Sequence, residues 1–342
     1  MSAEPRAPGV VDPATIGPGD VLVLRALGLG DALTGVAPLR GVRRLFPERR
    51  LVLAAPAGVG EWLAGLGVVD GVLPASGLGP LPRMPGGHAA VNLHGRGPLS
   101  HEVLLATGPE RLVAFGTAGH DGPAWRADEH EVHRWCRLVR AAGGPCGPED
   151  LLLREHVPAP AGAPVVLHPG AASASRRWPA ARWRAVAEAL AADGHRIVVT
   201  GSPAEAELAA AVADGLDAAE NRCGALSLAE LAETVGGAAA VLSTDTGVAH
   251  VATALAVRSV VLFGPTPPAW WGPAVDPQLH TVLWHGDPAA GAWGDPHADV
   301  LDERLGAVTP GEVLAAARAQ LSQVRPAPAP APAHDAALPG RP

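Results

Sequence analysis

Short apolar runs recur along this chain, and most are followed by stretches with helical spacing. The first run, Val21–Leu24, precedes a glycine-rich turn and a helical stretch to about Leu45. Leu51–Ala55 reads as a second buried strand, Glu61–Leu66 as part of a short helix, and Gly71–Leu73 as a lead into another turn. Ala89–Leu93 and Leu112–Phe115 are further strand candidates. Across Glu129–Ala142, the residues Val132, Trp135, Cys136 and Val139 fall at helical spacing. The pattern then restarts. Strands are expected at Pro164–Leu167, Arg196–Thr200, Ala239–Leu242 and Ser259–Phe263. Helices are expected at Pro179–Ala192, Ala204–Ala213, Leu226–Val235, Gly247–Leu255 and Thr309–Gln323. Proline at the start of the first suits a helix opening, and Ser227 suits a cap.

Strand–helix alternation with short apolar strands predicts parallel sheets covered by helices, an α/β protein. The pattern runs twice, with a Pro/Gly-rich break near 143–163. Two doubly wound domains are therefore expected: 20–155 and 156–324. Residues 1–19 read as a flexible leader, and the Pro/Ala-rich residues 325–342 as a disordered tail. In such domains ligands bind outside the carboxyl ends of the strands, here in the cleft between the two.

Composition narrows the function classes. Of 342 residues, 48% are hydrophobic and 18% charged, so the chain can bury sizeable cores. A net charge of −8 provides no basic field to hold nucleic acid or an anionic membrane. All 26 basic residues are Arg, there is no Tyr, and 42 Gly and 36 Pro accompany an Ala-rich background. That bias looks like GC-rich coding, so abundant Arg and Ala are not read as functional. Cys136, Cys146 and Cys223 are widely spaced, which argues against a disulfide framework or a cysteine-rich zinc site. The N-terminus lacks the apolar core of a signal peptide. No apolar run approaches the ~18 residues of a membrane span, so a cytoplasmic protein is expected.

Chemistry is concentrated at four turns, each after a predicted strand. In GLGD, Gly28 and Gly30 allow a tight turn, and Asp31 falls at a helix start. Asp31 could be a helix cap, a carboxylate base, or part of a dinucleotide loop. A third glycine is missing from that loop, since Leu33 takes its place, and no acid ends the second strand. In STDTGVAH, the residues Asp245, Thr246 and Gly247 open a helix whose free amides suit a phosphate, with His250 one turn along. Ordinary capping by Asp245 is the bland alternative. In HPGAASASRRWP, His168 and Gly170 lead to Arg176 and Arg177. These guanidinium groups could clamp a diphosphate or merely be solvated. In FGPTPPAWWGP, Gly264 and Thr266 form a rigid turn, and Trp270 and Trp271 offer either a surface for a ring or core packing. The pair His130 and His133, and the group His285, Asp287, Asp295 and His297, resemble metal ligands in composition only and read as surface or packing residues. No metal or cofactor is expected.

The order of these motifs is more specific than any one of them. GLGD, then HPGA…RRWP, VVTGSPAE, STDTGVAH and VVLFGPTPPAWWGP, resembles the heptosyltransferase-like glycosyltransferases, family nine. The likeness spans about 20–322 and is strongest from Val165 to Pro273. It implies a GT-B architecture of two Rossmann-like domains, the second holding a nucleotide-diphospho-sugar and the first an acceptor. It implies inverting, metal-independent transfer of a sugar, heptose being one candidate, to a hydroxyl of a glycan, a lipid-linked acceptor or a natural product. Membrane contact would be peripheral at most, and no nucleic acid is involved. The family's catalytic aspartate falls on Asp31. Its basic residue before Trp-Pro falls on Arg176, where Lys is usual. Its Asp-Thr-Gly turn falls on Asp245, Thr246 and Gly247, its histidine on His250, and the acid after the preceding glycine on Glu205. Competing readings are a nucleotide-sugar-binding protein without transfer, and a nicotinamide-dependent oxidoreductase.

Overall fold

The computed structural model describes residues 9–289 and 293–323. The leader's first eight residues and the Pro/Ala-rich tail lie outside them.

The first half folds as β1 (Asp20–Leu24), α1 (Leu29–Thr34), α2 (Val36–Leu45), β2 (Arg50–Ala55), α3 (Ala57–Gly65), β3 (Gly71–Pro74), β4 (Ala89–Asn92), α4 (Leu99–Leu105), β5 (Arg111–Val113) and α5 (Glu131–Ala141). Its strands form one sheet in the order β3-β2-β1-β4-β5. The second half adds β6 (Val165–His168), α6 (Ala180–Ala192), β7 (Ile197–Val199), α7 (Ala206–Ala213), β8 (Ala219–Asn221), α8 (Leu228–Gly236), β9 (Ala240–Thr244), α9 (Gly247–Ala254), β10 (Ser259–Leu262), α10 (Pro268–Trp271), β11 (His280–Leu283), α11 (Glu303–Ala307) and α12 (Pro310–Ser322). Its sheet runs β11-β10-β9-β6-β7-β8. Every pairing in both sheets is parallel.

Each sheet reverses its strand order beside its first strand. In the first sheet β1 lies between β2 and β4, with Leu24 opposite Asn92. In the second, β6 lies between β7 and β9, with His168 opposite Ser243. A crevice opens at the carboxyl ends where the order reverses. Those ends carry the GLGD turn, His168 and the Asp245 turn.

The central strands are apolar on both faces because helices cover both sides; β1 and β9 are buried throughout. The largest apolar core crosses between the halves. It joins Leu33, Leu53, Leu63 and Trp135 of the first to Val241, Val248 and Val251 of the second. A separate core in the second half packs Trp178 against Trp183, with ring centroids 5.0 Å apart.

Several expectations need correction. Residues 9–19 are not a loose leader. Ile16 is completely buried, Val10 bridges to Val72, and the Val11 amide donates to the Val72 carbonyl at 2.8 Å. A few apolar anchors outweigh a Pro/Gly-rich background. Gly71–Leu73 is an edge strand rather than the approach to a turn. Gly60 admits it closely: a Cβ there would stand 2.5 Å from Val72. The helical stretch to Leu45 is two helices, broken at Gly35. Side-chain space at Gly35 is taken by Arg25, whose Cδ would lie 2.7 Å from a Cβ. Helix α4 and strands β8 and β11 carry too little apolar periodicity to announce themselves. β8 is a three-residue strand, Ala-Glu-Asn, at the sheet edge.

Candidate active site

The two sheets present their carboxyl ends to one cavity of about 870 Å³, within the range of small-molecule sites. From the first half it is lined by Gly28, Gly30 and Asp31. From the second come His168, Arg176 and Glu205, then Asp245, Thr246, Gly247 and His250, and finally Thr266. The structure thus gathers most of the predicted residues from both halves.

Gly170 and Gly264 do not line it. A Cβ on Gly170 would stand 2.0 Å from Glu205 Oε1, so its bareness makes room for that carboxylate. Gly264 is packed against Leu305, Asp302 and Ser175. A Cβ there would lie 2.9 Å from Leu305, and its carbonyl accepts from Trp284 Nε1 at 3.0 Å.

Asp31 is the third residue of α1; the cap position belongs to Gly28. Its carboxylate therefore does not cap the helix. About a third of the side chain remains open to the cleft. Burial pushes its carboxyl above the usual range, against the opposing pull of Arg25; Glu131 adds to the rise.

Across the cavity, Thr246 caps α9 and Gly247 begins it. The first amides of a helix lack intrahelical acceptors and carry partial positive charge. Arg176 donates from Nη1 to the Asp245 carbonyl at 3.1 Å, which fixes the guanidinium beside that helix start. Arg176 Nε and Thr246 Oγ1 are buried without a partner in the protein. Such donors suit an anion. Burial drives the Asp245 carboxyl up to about 6, and holds His250 and His168 down at about 4. Both histidines are therefore neutral at pH 7, and Arg176 supplies the local cationic charge.

Gly30 and Gly247 have a further role. A Cβ on Gly30 would meet His250 Cδ2 at 2.8 Å, and one on Gly247 would meet Leu29 Cβ at 3.1 Å. The starts of α1 and α9 touch across the cleft because both are bare.

Glu205 divides its oxygens. Oε2 accepts from the Ser202 amide at 2.7 Å and its hydroxyl at 2.8 Å, closing a capping box. Oε1 faces Gly170. Leu226, Leu228 and Leu231 form an adjoining apolar wall.

Of the remaining candidates, Arg177 ties its own loop, donating to the Ala171 carbonyl at 2.7 Å. Trp271 lines the cavity and meets His250 edge-on at 6.0 Å, whereas Trp270 packs on Trp293. His130 caps α5 through Nδ1 and donates from Nε2 to the Gly272 carbonyl at 2.9 Å, joining the two halves. Among the described residues no group of three or more His, Cys, Asp or Glu is arranged around a shared metal position. His285 pairs with Glu312, and Asp287 and Asp295 cap their own turns.

Sequence reading missed Arg25 and Glu131, which stand behind Asp31. One signal was present: Arg25 is a charge directly after the wholly apolar Val21–Leu24.

Two parallel sheets facing one cleft at their carboxyl ends define a GT-B protein. Solved structures share this fold. The glycosyl transferase family 9 from Veillonella parvula superposes with a TM-score of 0.70 at 16% identity, covering 92% of this chain and 99% of that one. The Escherichia coli ADP-heptose lps heptosyltransferase II gives 0.69 at 20% identity, covering 89% and 99%. Sequence relations are more specific. Residues 125–289 match the model of glycosyltransferase family 9 (heptosyltransferase). Lipopolysaccharide heptosyltransferase 1 of Pseudomonas aeruginosa is 38% identical over 165 residues, 46% of this chain and 45% of that protein. The enzyme of the same name from Escherichia coli is 31% identical over 152 residues, 42% and 47% respectively. Residues 125–289 are thus similar to family-9 heptosyltransferases, and the chain shares the fold of solved members of that group. It matches about half the length of these curated relatives.

Proposed function

We propose that this protein is an inverting, metal-independent glycosyltransferase that moves a sugar, heptose foremost, from a nucleoside-diphosphate donor to an acceptor hydroxyl. One observation carries the reading: a carboxylate and an anion cradle, from opposite halves, face the same cavity. The second half holds the donor, with its diphosphate at the start of α9 and Arg176, and its ribose toward Glu205. The acceptor reaches Asp31 from the first half. It is a glycan, a lipid-linked sugar or a natural product.

In the proposed step the acceptor oxygen attacks the anomeric carbon on the face opposite the leaving group. The new carbon–oxygen bond forms as the bond to the diphosphate breaks. The hydroxyl proton passes to Asp31, and the electron pair leaves on the diphosphate. A general base of this kind is worth roughly 10²–10⁴-fold. A carboxyl raised by burial is better matched to that task than an ordinary one. Charge developing on the diphosphate meets the α9 amides and the Arg176 guanidinium, which are already oriented. The transfer is placed in the cytoplasm, with any membrane contact made through the acceptor. Among the described residues no helix is long and apolar enough to cross a membrane.

The first test is thermal stabilisation by ADP, UDP, GDP, TDP and NAD. A ligand at about a hundred times its Kd adds roughly 2.7 kcal/mol. A selective shift with one nucleoside diphosphate supports the reading and names the donor class; a shift with NAD alone overturns it. The second is Asp31→Asn, which should cut turnover of ADP-heptose by about 10²–10⁴-fold while ADP still binds. Unchanged turnover removes Asp31 from the chemistry.

A further inference from the structure

We propose that Arg25, held by Glu131, is a positioning residue that fixes Asp31 in place and sets the charge it carries into the reaction. The inference rests on Asp31 being the base.

Arg25 follows β1 and is 1% exposed. Its donors are spent on the elements that carry Asp31. Nε donates to the Asp31 carbonyl, and Nη1 to the Leu93 carbonyl beyond β4. Nη2 donates to Thr34 Oγ1 at 2.8 Å, lies 3.4 Å from Glu131 Oε1, and stands 3.7 Å from Asp31 Oδ1. Asp31 and the last residue of α1 are thereby pinned to one guanidinium. The Trp135 ring, 5.2 Å from Cζ, covers it.

Glu131, at the start of α5, is equally committed. Oε1 accepts from Trp135 Nε1 at 2.6 Å, and Oε2 accepts from Arg134. Arg134 in turn donates to the carbonyls of Arg126, Ala127 and Glu129. Glu131 is thus rigid, and its net effect on Asp31 is that of a second negative charge. Arg25 stands between two carboxylates.

That geometry makes a signed prediction, because a planar guanidinium fixed by several acceptors cannot move to relieve a charge change. The other charged and titratable groups near Asp31 are the same residues in every variant, and Asp245, which titrates at about 6, is followed alongside Asp31. Those groups are Arg176 and Asp245 across the cavity and His250 against Gly30; His94, whose Nδ1 accepts from the Ala26 amide, interacts with the Arg25 charge. Removing the positive charge at 25 leaves Glu131 unopposed behind Asp31, with Arg176 unchanged in front. Its carboxyl then titrates higher. Removing the negative charge at 131 leaves Arg25 unopposed, so Asp31 titrates lower. A purely structural role would move both variants the same way, or neither.

The test is a carboxyl titration on full-length protein labelled with ¹³C-aspartate, the Asp31 signal being assigned by its loss in Asp31→Asn. Arg25→Met should raise the Asp31 midpoint by about one pH unit or more, the scale of a neighbouring guanidinium. Glu131→Gln, which keeps shape, should lower it by about half a unit. Arg25→Lys should restore most of the Arg25→Met shift. If Arg25→Met does not fold, the Glu131→Gln and Arg25→Lys titrations decide. An Asp31 midpoint that does not move, or moves upward in Glu131→Gln, overturns the proposal. Failure of the base reading appears elsewhere: Asp31→Asn would then turn over normally, whatever the titration shows.

Discussion

The two sides of the cleft are built differently. On the second-half side, the cavity-lining groups sit at or just after the ends of their strands: His168 ends β6, Glu205 follows β7, and Asp245 to Gly247 follow β9. On the first-half side, Asp31 is backed by Arg25 and by Glu131, which lies 106 residues from Arg25. Phosphate recognition relies on backbone amides and a helix start, and these form within a few residues of chain. Holding a carboxylate needs side chains converging from several elements. The second-half side, proposed to hold the donor, is therefore local in sequence, and the Asp31 carboxylate is held over long range.

Arg176→Met probes the proposed donor side most sharply. Loss of a charge-assisted contact worth about 1.5–3 kcal/mol should weaken ADP binding by roughly 10–100-fold, read by calorimetry. Unchanged affinity would remove Arg176 from the cradle and erase the contrast between the sides. Gly30→Ala attacks the point where the sides touch. With His250 Cδ2 2.8 Å from the new Cβ, overpacking should cost about 1–3 kcal/mol in urea unfolding. An undiminished stability would mean that the helix starts separate freely. Thr246→Val removes a buried hydroxyl that has no protein partner. It should leave folding stability nearly unchanged and weaken ADP binding by about 1 kcal/mol, a small effect confined to the ligand. Ser227→Ala is smaller in scope: loss of its bond from the Glu230 amide should cost about 0.5–2 kcal/mol by the same unfolding assay.

The same contrast explains which features are legible in the amino-acid sequence. Val21–Leu24 and Ala239–Leu242 are apolar on both faces, as buried parallel strands must be, so both central strands and the turns after them stand out. Thr246 and Gly247 are legible because a helix start is a local event. The Asp31 support is not: Arg25 meets Glu131 only once β1 and α5 are packed together. Edge elements are also hidden. β8 carries Ala-Glu-Asn, and its strand character comes from pairing with β7 rather than from its own residues. Residues 9–19 mislead in the other direction, since proline and glycine mask the anchoring by Ile16.

The apolar core that runs from Leu33 and Trp135 into Val241 and Val251 has a consequence for how the molecule comes apart. Two lobes with separate interiors would denature as separate cooperative units. Here parting them exposes one shared interior, so disruption of either lobe removes packing from the other. Heating should produce a single endotherm rather than two, with the calorimetric enthalpy matching the van't Hoff value for the whole body.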